Sequence, residues 1–160
     1  MDTIIAPVAE ESLPDLVMSV AGLFAEDGGQ RDRHLDRGWP NREGGSYYTG
    51  LLEDDRSLCL LAYAPTDTSA TSVGHLIGRM IRLNPLRPHA LVAVLESMRV
   101  HPAHRREGVG TLLVGHFLKW AHVHGANEAS VTAYAANAPA VAFYRHQGFA
   151  PFELTLHRPL

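Results

Sequence analysis

The sequence predicts a mixed α/β domain, a sheet with helices packed on it. Three observations carry this. Apolar runs of strand length alternate with segments whose apolar residues recur at helical spacing. Glycine and proline clusters separate those segments. The 160 residues, 46% of them hydrophobic and 19% charged, suit one domain that buries roughly 70% of its unfolded surface.

Taken in order, Thr3 to Val8 reads as a first strand. Ser12 is placed to cap a helix, with Pro14 in its tolerated first turn. Leu13, Leu16, Val17, Val20, Leu23 and Phe24 then form one stripe, and Gly28-Gly29 are expected to stop the helix. Residues 27–55 are rich in glycine and mixed charge, which reads as a solvated surface. Tyr47, Tyr48, Leu51 and Leu52 predict a short amphipathic helix near the end of this stretch. Ser57 to Tyr63 is strand-like, Pro65 to Ser72 a polar turn, and Val73 to Leu83 a longer strand. Asn84-Pro85-Leu86-Arg87-Pro88 cannot continue a ladder.

The run from Leu91 to Val100 is the central strand. Leu113, Val114, Phe117, Trp120 and Ala121 make the apolar stripe of the helix after it, which Gly125 ends. Ala129 to Tyr134 is the next strand. Asn137 can cap a helix over residues 138–147, with Gly148 at its end. Phe152, Leu154 and Leu156 alternate and predict a final strand.

Several function classes are disfavoured. No apolar run approaches the roughly 20 residues of a membrane span. The first residues carry no basic n-region or long apolar h-region, so no signal peptide is expected. The lone Cys59 excludes an internal disulfide, and a cytoplasmic location follows. A net charge of −3 argues against nucleic acid. The ten histidines lack carboxylate or cysteine companions at ligand spacing, so no metal is expected.

The chemistry concentrates between the central strand and the helix after it. There the sequence runs His101-Pro102-Ala103-His104-Arg105-Arg106-Glu107-Gly108-Val109-Gly110-Thr111. A helix N-terminus presents unpaired N–H groups and the positive end of its dipole, so it attracts phosphate. Gly108 and Gly110 let a pyrophosphate approach the backbone, and Arg105 and Arg106 add charge. A dinucleotide fingerprint is excluded because Leu113 occupies its third glycine position, and no P-loop string exists.

Arg105-x-x-Gly108-x-Gly110 resembles the coenzyme A pyrophosphate loop of the GCN5-related N-acetyltransferase (GNAT) superfamily. A second stretch, Asn137-x-x-Ala140-x-x-Phe143-Tyr144-x-x-x-Gly148-Phe149, resembles that family's downstream motif. The order of elements matches along essentially the whole chain. The resemblance implies one N-acetyltransferase domain over residues 1–160: a mixed, mostly antiparallel sheet with helices on both faces and a splayed central strand pair.

It also implies roles for residues. Backbone N–H groups from Arg105 to Thr111, with Arg106, Val109 and the two glycines among them, would hold the pyrophosphate of acetyl-CoA, the co-substrate. Met98, Arg99 and Val100 would pair with the pantetheine arm, the Met98 N–H facing the thioester oxygen. Asn137 would bond the arm, or serve only as a helix cap. Phe143 and Tyr144 would line the thiol end, with Tyr144 donating to the departing thiolate. Glu107 departs from the family's more basic or small residue.

Glu96 lies in an apolar run and is expected to share a face with Val94, Met98 and Val100. A carboxylate there is costly unless paired or used. It is a candidate general base, or else a partner of an arginine such as Arg79 or Arg82. The function expected is acetyl transfer from acetyl-CoA to a primary amine by direct attack. The alternative is a non-catalytic acyl-CoA-binding sensor or interaction module. Residues 26–55 hold eight carboxylates against four arginines, beside Trp39, Tyr47 and Tyr48. That charge favours a small cationic amine or amino-sugar antibiotic as acceptor. The expected partner is this small molecule, and a homodimer stays open.

Overall fold

The computed structural model describes residues 2–65, 71–81 and 84–160. Five strands form one sheet in the order β1 (Ile4–Pro7), β2 (Ser57–Tyr63), β3 (Ser72–Met80), β4 (Val92–Val100) and β5 (Glu128–Val131). The first three pairings are antiparallel and β4–β5 is parallel. This is the mixed, mostly antiparallel sheet expected.

The central strands carry apolar residues on both faces because both faces are covered. Alternation sends Cys59, Leu61 and Ile77 to one face, against Leu16 and Val20 of α1 (Leu13–Leu23) and Tyr48 and Leu51 of α3 (Trp39–Leu52). Leu60, Ala62, Leu76, Ala93 and Leu95 point the other way. They meet Leu113, Val114 and Phe117 of α4 (Val109–Val123), with Phe143 and Tyr144 of α5 (Ala138–His146) packed beside them. Phe117 is fully buried; cutting such a ring back to alanine costs about 3–5 kcal/mol. Among the described residues no helix is long and apolar enough to cross a membrane.

Five expectations are corrected. Gly28-Gly29 do not stop the first helix. The chain passes through a π-helical turn over Phe24–Gly28 into α2 (Gly29–Arg31). Both glycines keep helical backbone angles, and each is buried where a Cβ would strike Leu35 or the Phe24 carbonyl. They serve close packing.

The second helix is longer than Tyr47–Leu52 suggested, because α3 starts at Trp39 with Pro40 in its first turn and carries internal glycines. Strand β3 ends at Met80, and Leu83, like residues 66–70 of the expected turn, lies outside the described residues. The tail with Phe152, Leu154 and Leu156 forms no strand: residues 149–160 join no ladder, and these three side chains are exposed. Alternation defines a face but supplies no neighbour to pair with.

The register of β3 and β4 is also irregular. Ile77 opposes Ser97 while Gly78 opposes Leu95, so Glu96 is the extra residue of a β-bulge. The bulge turns Glu96 and Ser97 to the α1/α3 face together. Met98 and Val100 face α4 instead, so Glu96 shares its face with Val94 but not with them.

Candidate active site

A gap opens in the sheet where β4 and β5 part. Their parallel register runs from Val92–Glu128 to Leu95–Val131 and stops. Residues 96–100 of β4 continue for about 17 Å, with β3 as their one strand neighbour among the described residues. The His101 N–H reaches the Val73 carbonyl on β3 at 2.8 Å. Alternation along the strand therefore turns the backbone groups of Met98 and Val100 the other way, into the gap. Arg99 behaves differently. Its guanidinium pairs with Glu26 of the π turn on the α1 side, at 3.1 Å, and its backbone faces β3. Of the three residues expected along the arm, two line the gap.

At the end of the gap stands the basic loop. A single 3-10 turn over Pro102–His104 leads to Arg106 at φ 65° and Gly108 at φ 87°. Gly108 is the N-cap of α4 and offers no side chain, so the N–H groups of Val109, Gly110 and Thr111 have no side-chain cap. Such groups at a helix start attract an anion, and the fold of the loop leaves these three without a side-chain cap. Gly110 has a second reason to lack a side chain: a Cβ would lie 3.1 Å from the Phe143 ring of α5. Val109 is buried in the core, and the Thr111 hydroxyl accepts from Gln147 at 3.1 Å.

The two loop arginines are not equivalent. The Arg105 guanidinium donates to the Val100 carbonyl at 2.8 Å and to Glu26. It is a brace for the loop. Arg106 is exposed and is the basic side chain left to face an anion. The Glu107 carboxylate lies 3.3 Å from His104 Nδ1.

Helix α5 supplies the opposite wall. Asn137 accepts from the Ala140 N–H at 3.2 Å as its N-cap, and its amide donates to Asp27 at 3.0 Å. Both polar atoms of Asn137 are thus engaged within the chain. Tyr144 sits edge-on to Phe143 and Phe149, with ring centroids 5.3 and 5.9 Å away. Its hydroxyl has no hydrogen-bond partner among the described residues. Burial, and then the Asp27 charge, push its pKa up to about 12. It stands as a neutral donor with nothing yet to donate to.

On the other face, the Tyr47 hydroxyl donates to both Glu96 oxygens, at 2.9 and 3.0 Å. Arg79 reaches the same carboxylate at 3.3 Å; Arg82 lies outside the described residues. Burial and the hydrogen bond to Glu96 raise the Tyr47 phenol to about 12. Trp39 packs edge-on to Tyr47 at 5.4 Å, and a shallow concavity lined by Trp39, Arg42, Glu43, Ser46 and Tyr47 opens there. Beneath lies a polar chain. His75 is fully buried, with Nδ1 2.5 Å from the Ser19 hydroxyl and Nε2 2.8 Å from that of Ser97. Burial, and then the nearby Arg99 charge, lower its pKa to about 3, so it is neutral.

A family model described as the acetyltransferase (GNAT) family matches residues 24–149, which span the gap, the loop and both walls. The chain belongs to the acetyltransferase (GNAT) family.

Among curated relatives of this GNAT protein, acetyl transferase GW6a of Oryza sativa subsp. japonica is 39% identical over 67 residues. That stretch is 41% of this chain and 16% of GW6a, so the chain spans only a small part of that relative's length. A Bacillus halodurans protein shares the fold with a TM-score of 0.85 at 16% identity, over 98% of this chain and 99% of the other. Aminoglycoside 6'-N-acetyltransferase AAC(6')-Ih of Acinetobacter baumannii has a TM-score of 0.77 at 22% identity, over 99% and 98%. AAC(6')-Iy, in complex with a bisubstrate analogue of CoA and acetylneamine, has 0.76 at 17%, over 100% and 99%. At these identities the likeness is one of fold.

The structure gathers Met98, Val100, Gly108, Val109, Gly110, Thr111, Phe143 and Tyr144 around the gap and its mouth, and sets Glu96 across the sheet from Tyr144. Sequence reasoning missed Glu26 and Asp27, which tie the π turn to Arg105 and Asn137. It also missed the bonds of Tyr47 to Glu96 and of His75 to Ser97. The signal for Glu96 was its charge in an apolar run; the others gave none. Among the described residues no group of three or more His, Cys, Asp or Glu side chains is placed to hold a metal.

Proposed function

We propose that this GNAT protein transfers an acetyl group from acetyl-CoA to the primary amine of a small cationic acceptor, by direct attack of the amine on the thioester. One observation carries the reading: β4 turns Met98 and Val100 into a gap that β5 has left, and the gap ends at the uncapped start of α4. A pyrophosphate fits the N–H groups of 109–111 and the Arg106 charge. The amides of a pantetheine arm fit the open edge of β4. A thiol fits beside the unpartnered Tyr144 hydroxyl.

The residues then divide the work. Glu96 accepts the proton of the incoming ammonium, directly or through water, with Tyr47 and Arg79 fixing the direction of its carboxylate. The Met98 N–H donates to the thioester oxygen as it becomes an oxyanion. The nitrogen–carbon bond forms, the nitrogen gives up its second proton to solvent, and the carbon–sulfur bond breaks. Tyr144 donates a hydrogen bond to the departing thiolate, which takes its proton from solvent. No nucleophile on the protein is required: Cys59 is buried, and burial pushes its thiol up to about 12.

The acceptor class rests on Glu96, Tyr47 and Trp39. The acidic rim of residues 26–55 contributes less than its count suggests. Asp27 pairs with Arg31, Asp36 and Glu43 with Arg42, and Glu26 with Arg99 and Arg105. Fold neighbours that act on aminoglycosides support an amino-sugar among the candidates. The test is release of free CoA thiol from acetyl-CoA across a panel of polyamines, amino-sugars, amino acids and peptides. A cationic amine should drive release that weakens as ionic strength rises. Release driven only by neutral or anionic acceptors would refute the substrate class, and binding of acetyl-CoA without amine-dependent release would refute the enzyme.

A further inference from the structure

His75 is fully buried on the α1/α3 side of the sheet, and no step of acetyl transfer uses it. The layer around it is apolar, with Leu61 opposite it on β2 and Leu16, Val20 and Ile77 on the same face. An imidazole in such a layer costs desolvation that a leucine would not, unless both ring nitrogens are bonded. Both are: Nδ1 lies 2.5 Å from the Ser19 hydroxyl of α1, and Nε2 lies 2.8 Å from that of Ser97. A neutral ring has one N–H and one lone pair, and a serine hydroxyl serves either role, so the chain of three closes without a charge. A buried polar chain satisfied at every member fixes one arrangement of the elements it joins, because another arrangement leaves a buried nitrogen bare.

The chain ends at the β4 bulge. His75 opposes Arg99 and Ile77 opposes Ser97, so the bond runs diagonally between the strands and lands on the residue after Glu96. A bulge carries one residue that the ladder does not hold, and here that residue is Glu96. Leu95, buried against α4, anchors the strand before the bulge, and the Arg99–Glu26 pair anchors it after. Between these anchors the bulge has room to move by one residue. Moving it past Ser97 would turn Ser97 to the α4 face and seat Glu96 alone opposite Ile77. The carboxylate would then leave the position in which Tyr47 and Arg79 hold it.

We propose that His75 is a positioning residue for acetyl transfer: its bond to Ser97 pins the β4 bulge and so fixes the direction in which Glu96 presents its carboxylate to the amine. The inference rests on Glu96 as the proton acceptor. Tyr47 and Arg79 hold the carboxylate at its outer end, and His75 holds the strand beneath it. Ser19 completes the brace by orienting the ring from α1.

Steady-state thiol release tests this in Ser97→Ala, Ser97→Thr and His75→Gln, each made alone and in the Glu96→Gln background. Alone, Ser97→Ala and His75→Gln should each lower kcat about 10-fold, short of the roughly 100-fold that a 1 Å misplacement can cost, with the KM for acetyl-CoA unchanged. Ser97→Thr keeps the hydroxyl and should keep wild-type turnover. In the Glu96→Gln background Ser97→Ala and His75→Gln should lower kcat no further, because both act through the carboxylate that is already gone. A merely structural bond would lower it by the same factor in either background. Should His75→Gln not fold, the two Ser97 variants read the same bond. Wild-type turnover in Ser97→Ala, a Ser97→Thr rate no better than that of Ser97→Ala, or an undiminished loss on top of Glu96→Gln would overturn the brace and leave Glu96 the base. Wild-type turnover in Glu96→Gln would overturn the role of Glu96, and the proposal with it.

Discussion

Replacing Tyr144 by phenylalanine removes one oxygen atom, and the structure fixes what that should do. The hydroxyl bonds to nothing among the described residues, so its removal strands no partner. The usual loss of about 1 kcal/mol for a deleted hydrogen bond does not apply. Unfolding free energy should change by less than about 0.5 kcal/mol, and acetyl-CoA affinity should hold, because the group is needed only as charge builds on sulfur. The rate is another matter. With its pKa near 12, the phenol cannot pass a proton downhill to a thiolate whose ordinary pKa is about 8.5. It stabilises the leaving group by a hydrogen bond instead. That puts the loss at the low end of general-acid effects, about 10²-fold in kcat, or about 2.7 kcal/mol of barrier. Steady-state thiol release gives kcat, titration calorimetry gives the dissociation constant, and urea unfolding gives stability. Wild-type turnover would return Tyr144 to a packing role, and a large stability loss would show that its hydroxyl is partnered after all.

Other residues give further tests. Gly108→Val forces a β-branched residue to φ 87° in open space; calorimetry should show weaker acetyl-CoA binding with the fold kept, and an unchanged affinity would dissociate the loop from phosphate. Glu96→Gln removes the proton acceptor but keeps its shape, so kcat/KM should fall about 10²-fold near pH 7, and an unaltered pH–rate profile would leave Glu96 a structural partner of Arg79. His75 is held neutral in the fold with its pKa lowered to about 3. The unfolded chain therefore binds the extra proton first, and the stability present above about pH 6.5 is lost as pH falls. The slope is about 1.4 kcal/mol per unit, so about 2 kcal/mol disappears between pH 7 and pH 5. Urea midpoints for wild type and His75→Gln at both pH values should show the shallower slope in the variant.

What was legible in the sequence was local. Apolar spacing placed α1, α4 and α5 because the face each presents is set by its own residues. The Arg105–Gly110 and Asn137–Phe149 stretches were legible because turn and cap chemistry is fixed over a few positions. The rest depended on partners far along the chain. Nothing near Glu96 announces a bulge, which arises from the register against Ile77 and Gly78 on β3. Tyr47 reaches Glu96 across 49 positions, and Asp27 reaches Asn137 across 110. The Gly28-Gly29 pair was misread because close packing and helix termination call for the same residue. His75 looked like one of many histidines until the fold enclosed it. The tail was misread in the opposite sense: its pattern was plain, but a strand needs a neighbour.

The central claim is that the open edge of β4 receives the pantetheine arm while the start of α4 holds the pyrophosphate. Amide hydrogen exchange with and without CoA tests it most directly. In the free protein the Met98 and Val100 amides should exchange quickly, since β5 does not cover them. Binding of CoA should slow both, together with the amides of residues 109–111, and leave β1 and β2 unchanged. Tight binding of CoA with no added protection at Met98, Val100 or residues 109–111 would contradict the account.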